Sequence, residues 1–113
     1  MDNCLFCKIC AGEIPSKKLY EDDEVLAFYD IDPQAPLHFL VVPKQHIESA
    51  AELTEADGGL LGKIFGVAAT VCRQQGVTNG WRVVSNVGEN GQQSVPHLHF
   101  HVLSGRLMAW PPG

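Results

Sequence analysis

Apolar and polar positions divide the chain into short segments with two different periods. Residues 4–12 read as a short helix, stopped by Gly12 and then by Pro15. Val25-Leu26-Ala27-Phe28-Tyr29 and Phe39-Leu40-Val41-Val42 are compact apolar runs that read as strands, the second ended by Pro43. Between them, Asp30-Ile31-Asp32-Pro33-Gln34-Ala35-Pro36 carries two prolines and must be a loop. Leu60, Leu61, Ile64, Phe65, Ala68, Val71 and Cys72 then recur at helical spacing and form one apolar stripe, with Gly76 as terminator. Gly58, Gly59, Gly62 and Gly66 in the same segment weaken intrinsic helicity, so packing has to compensate. Trp81 to Ser85 predicts a strand, Asn86 to Gly91 a turn, and Leu98 to Leu103 the last strand. The sum is an α+β fold: an antiparallel sheet of about five strands, one main helix and a short N-terminal helix.

Composition narrows the function classes. A chain of 113 residues, 45% hydrophobic, is expected to form one domain over residues 1–113. A chain this short buries a modest share of its surface, so pairing into a homodimer would help. The net charge of −5 argues against a nucleic acid polymer as partner, since phosphate-backbone binding needs a basic face. A small phosphorylated ligand is compatible with it. No stretch reaches the ~18 apolar residues that span a bilayer, so no membrane is expected. Met1-Asp2-Asn3-Cys4 lacks the basic and apolar regions of a signal peptide, which points to the cytoplasm. Thiols stay reduced there, so the four cysteines are not read as a disulfide framework.

The chemistry lies near the C-terminal end. In His97-Leu98-His99-Phe100-His101, strand alternation points the three imidazoles one way and Leu98, Phe100 and Val102 the other. The apolar set faces the core, so the histidines line a surface or cleft. Two uses follow: a metal site, or nucleophilic catalysis by a neutral imidazole. The preceding Gly88-Glu89-Asn90-Gly91-Gln92-Gln93-Ser94 is a turn rich in donors able to face an anion. Beside three co-facial histidines, it favours phosphoryl chemistry.

Gly91-Gln92-Gln93-Ser94-Val95-Pro96-His97-Leu98-His99-Phe100-His101-Val102-Leu103 resembles the signature of the histidine triad family, in its nucleotide-binding phosphoramidase branch. Glu13-Ile14-Pro15-Ser16, Leu26-Ala27-Phe28-Tyr29-Asp30-Ile31, Pro33-Gln34-Ala35-Pro36, His38-Phe39-Leu40-Val41-Val42-Pro43-Lys44 and Trp110-Pro111-Pro112-Gly113 match in the same order. The resemblance implies the histidine triad fold and hydrolysis of the P–N bond of purine nucleoside phosphoramidates. It makes His99 the nucleophile of a nucleotidyl-histidine intermediate and His101 the contact to scissile phosphate and leaving group. Gln93, Ser94 and Asn86 match polar groups near the phosphate. Asp30 matches the carboxylate on the ribose hydroxyls, and Leu5, Phe6, Ile9, Phe28 and Ile31 match the apolar walls around the base. Trp110 matches a residue that reaches the partner's site in a homodimer, and His38 a histidine supporting the triad. Another branch implies dinucleoside polyphosphate hydrolysis as an alternative, and a nucleotide- or protein-binding module with incidental activity is a second. Gln92 stands where relatives usually carry glycine, and Pro96 where many carry an aromatic residue.

Cys4 and Cys7 have the spacing of half a tetrahedral zinc site. Zinc-containing relatives imply the other half, matching His46 and His97, for a structural zinc. No catalytic cofactor is expected. Cys10 falls outside the pattern, Cys72 belongs to the apolar stripe, and Glu21-Asp22-Asp23-Glu24 reads as a solvated turn.

Overall fold

A computed structural model describes residues 3–113. Met1 and Asp2, part of the segment read above for a signal peptide, lie outside them. The elements are α1 (Leu5–Cys10), β1 (Lys18–Glu21), β2 (Val25–Tyr29), β3 (Leu37–Pro43), α2 (Gly58–Gln74), β4 (Trp81–Val84) and β5 (Phe100–Ser104). Two short 3-10 turns, Ala50–Glu52 and Glu55–Asp57, lead into α2. All five strands form one antiparallel sheet in the order β1-β2-β3-β5-β4. This is the expected α+β architecture.

Alternation sorts the central strands onto two faces. Val25, Ala27, Phe39, Val41, Phe100 and Val102 pack with Ile64, Val67, Ala68, Val71 and Cys72 of α2. Leu26, Phe28, Leu40 and Val42 pack on the other face with Cys4, Phe6 and Ile9, at and around α1. A sheet buried on both sides needs apolar residues at every position, which is why β2 and β3 are continuous apolar runs.

Three expectations change. The N-terminal helix is shorter than 4–12, because Cys4 is its cap: its Sγ accepts the Cys7 N–H at 3.3 Å. The last strand begins at Phe100, not Leu98. Its ladder with β3 ends at Val41 opposite Phe100, and Leu98 N–H instead donates to Ile47 O at 2.6 Å. His97 and His99 therefore precede the strand, and both are buried rather than surface-lining. The acidic run is also more than a solvated turn. Glu21 accepts bonds from Lys18 and Lys44 at 2.8 Å each, and Asp22 pairs with Lys63 at 2.6 Å. These partners hold Glu21 down at about 2, below the usual carboxylate range.

Candidate active site and metal centre

All five histidines of the chain gather on the α1 face of the sheet and its margin, in two hydrogen-bonded groups around His99. Each can be assigned a protonation pattern from partners that can only donate or only accept.

His99 Nδ1 lies 2.6 Å from the carbonyl oxygen of His97. A carbonyl only accepts, so Nδ1 carries the proton and the lone pair sits on Nε2. The backbone around it is held on both sides: His97 N–H donates to Val95 O at 2.8 Å, and Ser85 Oγ donates to His99 O at 2.9 Å. Phe6 packs edge-on against the His99 ring at 5.0 Å. The ring is oriented by a carbonyl two residues upstream and an aromatic wall.

His101 is set by a relay. Gln34 N–H donates to His38 Nδ1 at 3.0 Å, so the His38 proton is on Nε2. That Nε2–H faces His101 Nδ1 at 2.9 Å and Asp30 Oδ2 at 3.4 Å. His101 Nδ1 therefore accepts, which leaves Nε2–H as the free donor of its ring. Burial, reinforced by the neighbouring His99 and His38 rings, pushes His101 down to about 4, against the pull of Asp30. Burial also lowers His38, again opposed by Asp30. Asp30, His38 and His101 lie close enough to hold a cation, but the Nε2 proton of His38 occupies that space. The cluster is a hydrogen-bond chain.

Asp30 Oδ1 accepts the Asp32 N–H at 2.8 Å, which fixes the carboxylate. Asp30 shares a cavity of about 710 Å³ with Ile9, Phe28 and Ile31. Phe6 closes against Phe28 at 5.7 Å, whereas Leu5 is half exposed on α1. A second cavity of about 750 Å³, between the α2–β4 loop and the C-terminal tail, contains none of these groups.

The donor-rich turn is tightly built. Gln93 uses its amide within it: Nε2 donates to Glu48 O at 2.7 Å and Val95 O at 3.0 Å, and Oε1 accepts Gly88 N–H at 3.1 Å. Gln93 thereby holds the turn while Ser94 stays exposed and Asn86 part-exposed beside it. At Gly91 a Cβ would lie 2.5 Å from Val87 O, so only glycine fits. Gln92 adopts φ of 57°, the left-handed region that glycine tolerates best.

Cys4 Sγ, Cys7 Sγ, His46 Nδ1 and His97 Nδ1 all lie within 4.8 Å of one another. The sulfur–nitrogen separations are 3.2 Å (Cys7–His46), 3.3 Å (Cys4–His97) and 3.5 Å (Cys7–His97). Those are close to the edge of a zinc tetrahedron, about 3.5 Å for bonds of ~2.3 Å to sulfur and ~2.0 Å to nitrogen. The tautomer fits as well. His97 Nε2 donates to Pro43 O at 2.8 Å, leaving the Nδ1 lone pair aimed at the two sulfurs. Burial and the adjacent Cys4 thiol push the Cys7 thiol up to about 11, so two thiolates here require a cation between them. Cys10 stands outside the cluster and Cys72 lies in the α2 core.

Three participants were not legible in the sequence: Ser85, the Pro43 carbonyl and the Gln34 N–H. Each acts through an ordinary backbone or hydroxyl bond, and only the folded chain brings it to a histidine.

A family model described as the C-terminal binding region of scavenger mRNA decapping enzyme matches residues 3–109. An uncharacterized HIT-like (histidine triad-like) protein of Synechococcus elongatus is 47% identical over 112 residues, covering 99% of this chain and 98% of that protein. A 14 kDa zinc-binding protein of Zea mays is 49% identical over 111 residues, covering 96% and 87%. Among solved structures, a HIT family hydrolase of Legionella pneumophila superposes with a TM-score of 0.95 at 47% identity, over 98% of this chain and 100% of that one. A histidine triad protein of Clostridium difficile gives 0.91 at 45% identity, over 96% and 95%.

Proposed function

Because the chain belongs to the histidine triad family, we propose that it is a hydrolase of purine nucleoside phosphoramidates acting through a nucleotidyl-His99 intermediate. The observation that carries this reading is the His99 tautomer: Nδ1–H held by His97 O at 2.6 Å, and a lone pair on Nε2. In the first step His99 Nε2 bonds to phosphorus while the P–N bond to the leaving amine breaks. The leaving nitrogen keeps that electron pair and takes a proton from His101 Nε2. The bound anionic phosphate favours the imidazolium form of His101 needed for this, in which the added Nδ1 proton faces Asp30 Oδ2, 3.8 Å away, in place of the bond accepted from His38. Water then attacks phosphorus, its proton returns to His101, and the bond to His99 Nε2 breaks. Asp30 binds the ribose hydroxyls, and Ile9, Phe28, Phe6, Leu5 and Ile31 enclose the base. Ser94 and Asn86 contact the phosphate, and Gln93 keeps their turn in place.

The test is direct. After incubation with an adenosine phosphoramidate and a denaturing quench, mass spectrometry is expected to find AMP on His99. Turnover without that adduct, or full activity in His99→Ala, would overturn the mechanism.

Cys4, Cys7, His46 and His97 would hold a structural zinc, whose chemistry is to neutralise two thiolates and staple α1 to the sheet. The zinc-binding relative from maize supports this reading. Metal analysis of wild type against Cys4→Ser tests it: equal metal content, or none in either, rejects the site.

A homodimer completes the reading. The outer face of α2 carries Gly58, Gly59, Gly62 and Gly66, around which added side chains would meet open space, beside exposed Phe65. Helical glycines cost about 1 kcal/mol each, which a closely packed second copy would offset. At the sheet edge, β4 is unpaired on one side and its Trp81 is exposed. Trp110, 81% exposed beneath the Arg82 guanidinium, is free to reach the partner's cleft. Light scattering that gives the 12.3 kDa of one chain would exclude the dimer.

A further inference from the structure

His101 owes its free Nε2–H to a main-chain group on an exposed loop. The Gln34 N–H that fixes His38 belongs to the stretch before β3, where Gln34 and Pro36 are both exposed. Pro33 and Pro36 have no N–H to give to a ladder, so local bonds hold this stretch. Asp32 N–H donates to Asp30 Oδ1 at 2.8 Å, Gln34 Nε2 to Asp32 O at 3.0 Å, and Asp30 N–H to His38 O at 3.1 Å. Those bonds tie the loop to itself and to its base.

The turn after β5 supplies a tie from outside. The ladder pairs Leu37 with Ser104, so the residues before β3 and those after β5 leave the sheet side by side. Arg106 Nε–H donates to Gln34 O at 3.0 Å, across 72 positions of the chain. Gly105, at φ of 97°, comes so close that an added Cβ would stand 2.8 Å from Pro36 Cβ. The main chain of Gln34 is thus held on both sides, its N–H on His38 Nδ1 and its carbonyl on Arg106. Arg106 itself is exposed and its other bond goes to Leu107 O at 3.3 Å, so its link to the histidines runs through Gln34.

This tie matters because the relay has two ways to run. With the Gln34 amide in place, protons sit on His38 Nε2 and His101 Nε2. Without it, His38 can carry its proton on Nδ1 and accept at Nε2 from His101 Nδ1–H, a bond of the same kind over the same 2.9 Å. Asp30 Oδ2 accepts from either arrangement, lying 3.4 Å from His38 Nε2 and 3.8 Å from His101 Nδ1. The reversed relay leaves a lone pair on His101 Nε2, where the reaction needs a donor. One amide decides between the two, and bonds on exposed loops open most readily.

Resting on the hydrolase reading above, we propose that Arg106 is a positioning residue. By holding Gln34 O, with Gly105 packed on Pro36, it keeps the Gln34 amide on His38 and so keeps the proton on His101 Nε2.

The experiment combines heteronuclear NMR of the histidine rings at neutral pH, which tells a protonated ring nitrogen from a bare one, with steady-state kinetics on an adenosine phosphoramidate. It compares wild type, Arg106→Lys, Arg106→Ala and Gly105→Ala. In wild type the His101 proton is expected on Nε2. In Arg106→Ala a fraction of His101 should carry it on Nδ1, and kcat should fall about three- to tenfold, the range of one neutral hydrogen bond, with KM within about twofold. Arg106→Lys, still able to donate to a carbonyl, should retain most of both properties. Gly105→Ala, which displaces Pro36 by contact alone, should shift the His101 proton the same way. His99, held by His97 O, should keep its proton on Nδ1 in every variant. An unchanged His101 tautomer in Arg106→Ala would overturn the inference, whatever the activity. So would a raised KM with unchanged kcat, which would make Arg106 a binding residue for the anionic substrate. Wild type with the Nε2–H tautomer but no turnover would overturn the hydrolase reading, and the tautomer in Arg106→Ala would then decide the positioning by itself.

Discussion

The two faces of the sheet are built from the same alternating strands but do different work. The α2 face is covered by a 17-residue helix and is apolar throughout, with Val25, Phe39, Val41, Val71 and Val102 fully buried. The opposite face is covered by a six-residue helix and holds histidines, cysteines and the cavity beside Asp30. A helix of six residues is too short to be stable by itself. It is kept in place by Phe6 on the histidine rings and by Cys4 and Cys7 at the His46–His97 pair. The first face supplies stability without chemistry. The second trades a continuous apolar cover for donors and acceptors, and needs local ties to stay folded.

His97 joins the two parts of that second face. Its side chain faces the cysteines and its carbonyl orients the His99 ring. Any shift of the Cys/His cluster therefore moves the acceptor that holds His99. The His99 ring and the Cys/His cluster are adjacent through one residue rather than through a long path.

Substitution on the α2 face should break the comparison most clearly if it is wrong. Ile64→Ala removes a side chain that is 1% exposed and should cost about 2–5 kcal/mol in denaturant unfolding. Activity per folded molecule should stay within about twofold, because no cleft group touches that face. A proportional fall in kcat would merge the two faces.

Acid should act on the histidine face. His101 in the folded chain titrates at about 4, below the ~6.5 of an unfolded histidine. Between those values the unfolded chain binds a proton that the folded chain does not. Stability therefore falls as pH drops from about 6.5 toward 4, by about 3 kcal/mol, and this contribution levels off below 4. His101→Gln should flatten that limb of the stability–pH curve. An unchanged slope would place the titration elsewhere.

The smallest expected effect concerns the turn. Gln92→Gly should relieve the left-handed conformation at φ 57° and stabilise the protein by up to about 1 kcal/mol. A lowered Tm would show that the Gln92 side chain contributes something the backbone angle conceals.

Much of the fold was legible as pattern. The apolar runs predict β2 and β3, the helical stripe predicts α2 and Trp81 opens a strand as expected, although within the stripe Phe65 is exposed and Val67 takes its place in the core. Strand β1, Lys-Leu-Tyr-Glu, was not read, because an edge strand carries charges and shows no apolar run. The start of β5 was misread by two residues. Side-chain alternation continues through Leu98 and His99, but the ladder does not: β3 runs on to Pro43, while Leu98 N–H turns to Ile47 O instead.

The sequence by itself determined the chemical inventory: three alternating histidines, a Cys-x-x-Cys pair, an aspartate and a glycine-bearing turn. It determined the faces too, because alternation is local. Only the tertiary structure decided what each histidine does. Cys4 and His97 are 93 positions apart yet 3.3 Å from each other, and His38 meets His101 across 63. Which ring nitrogen holds the proton depends on a carbonyl, an amide or a thiol brought from elsewhere in the chain. That choice leaves a lone pair on His99 Nε2, an N–H on His101 Nε2 and a lone pair on His97 Nδ1, and it exists only once the strands are paired.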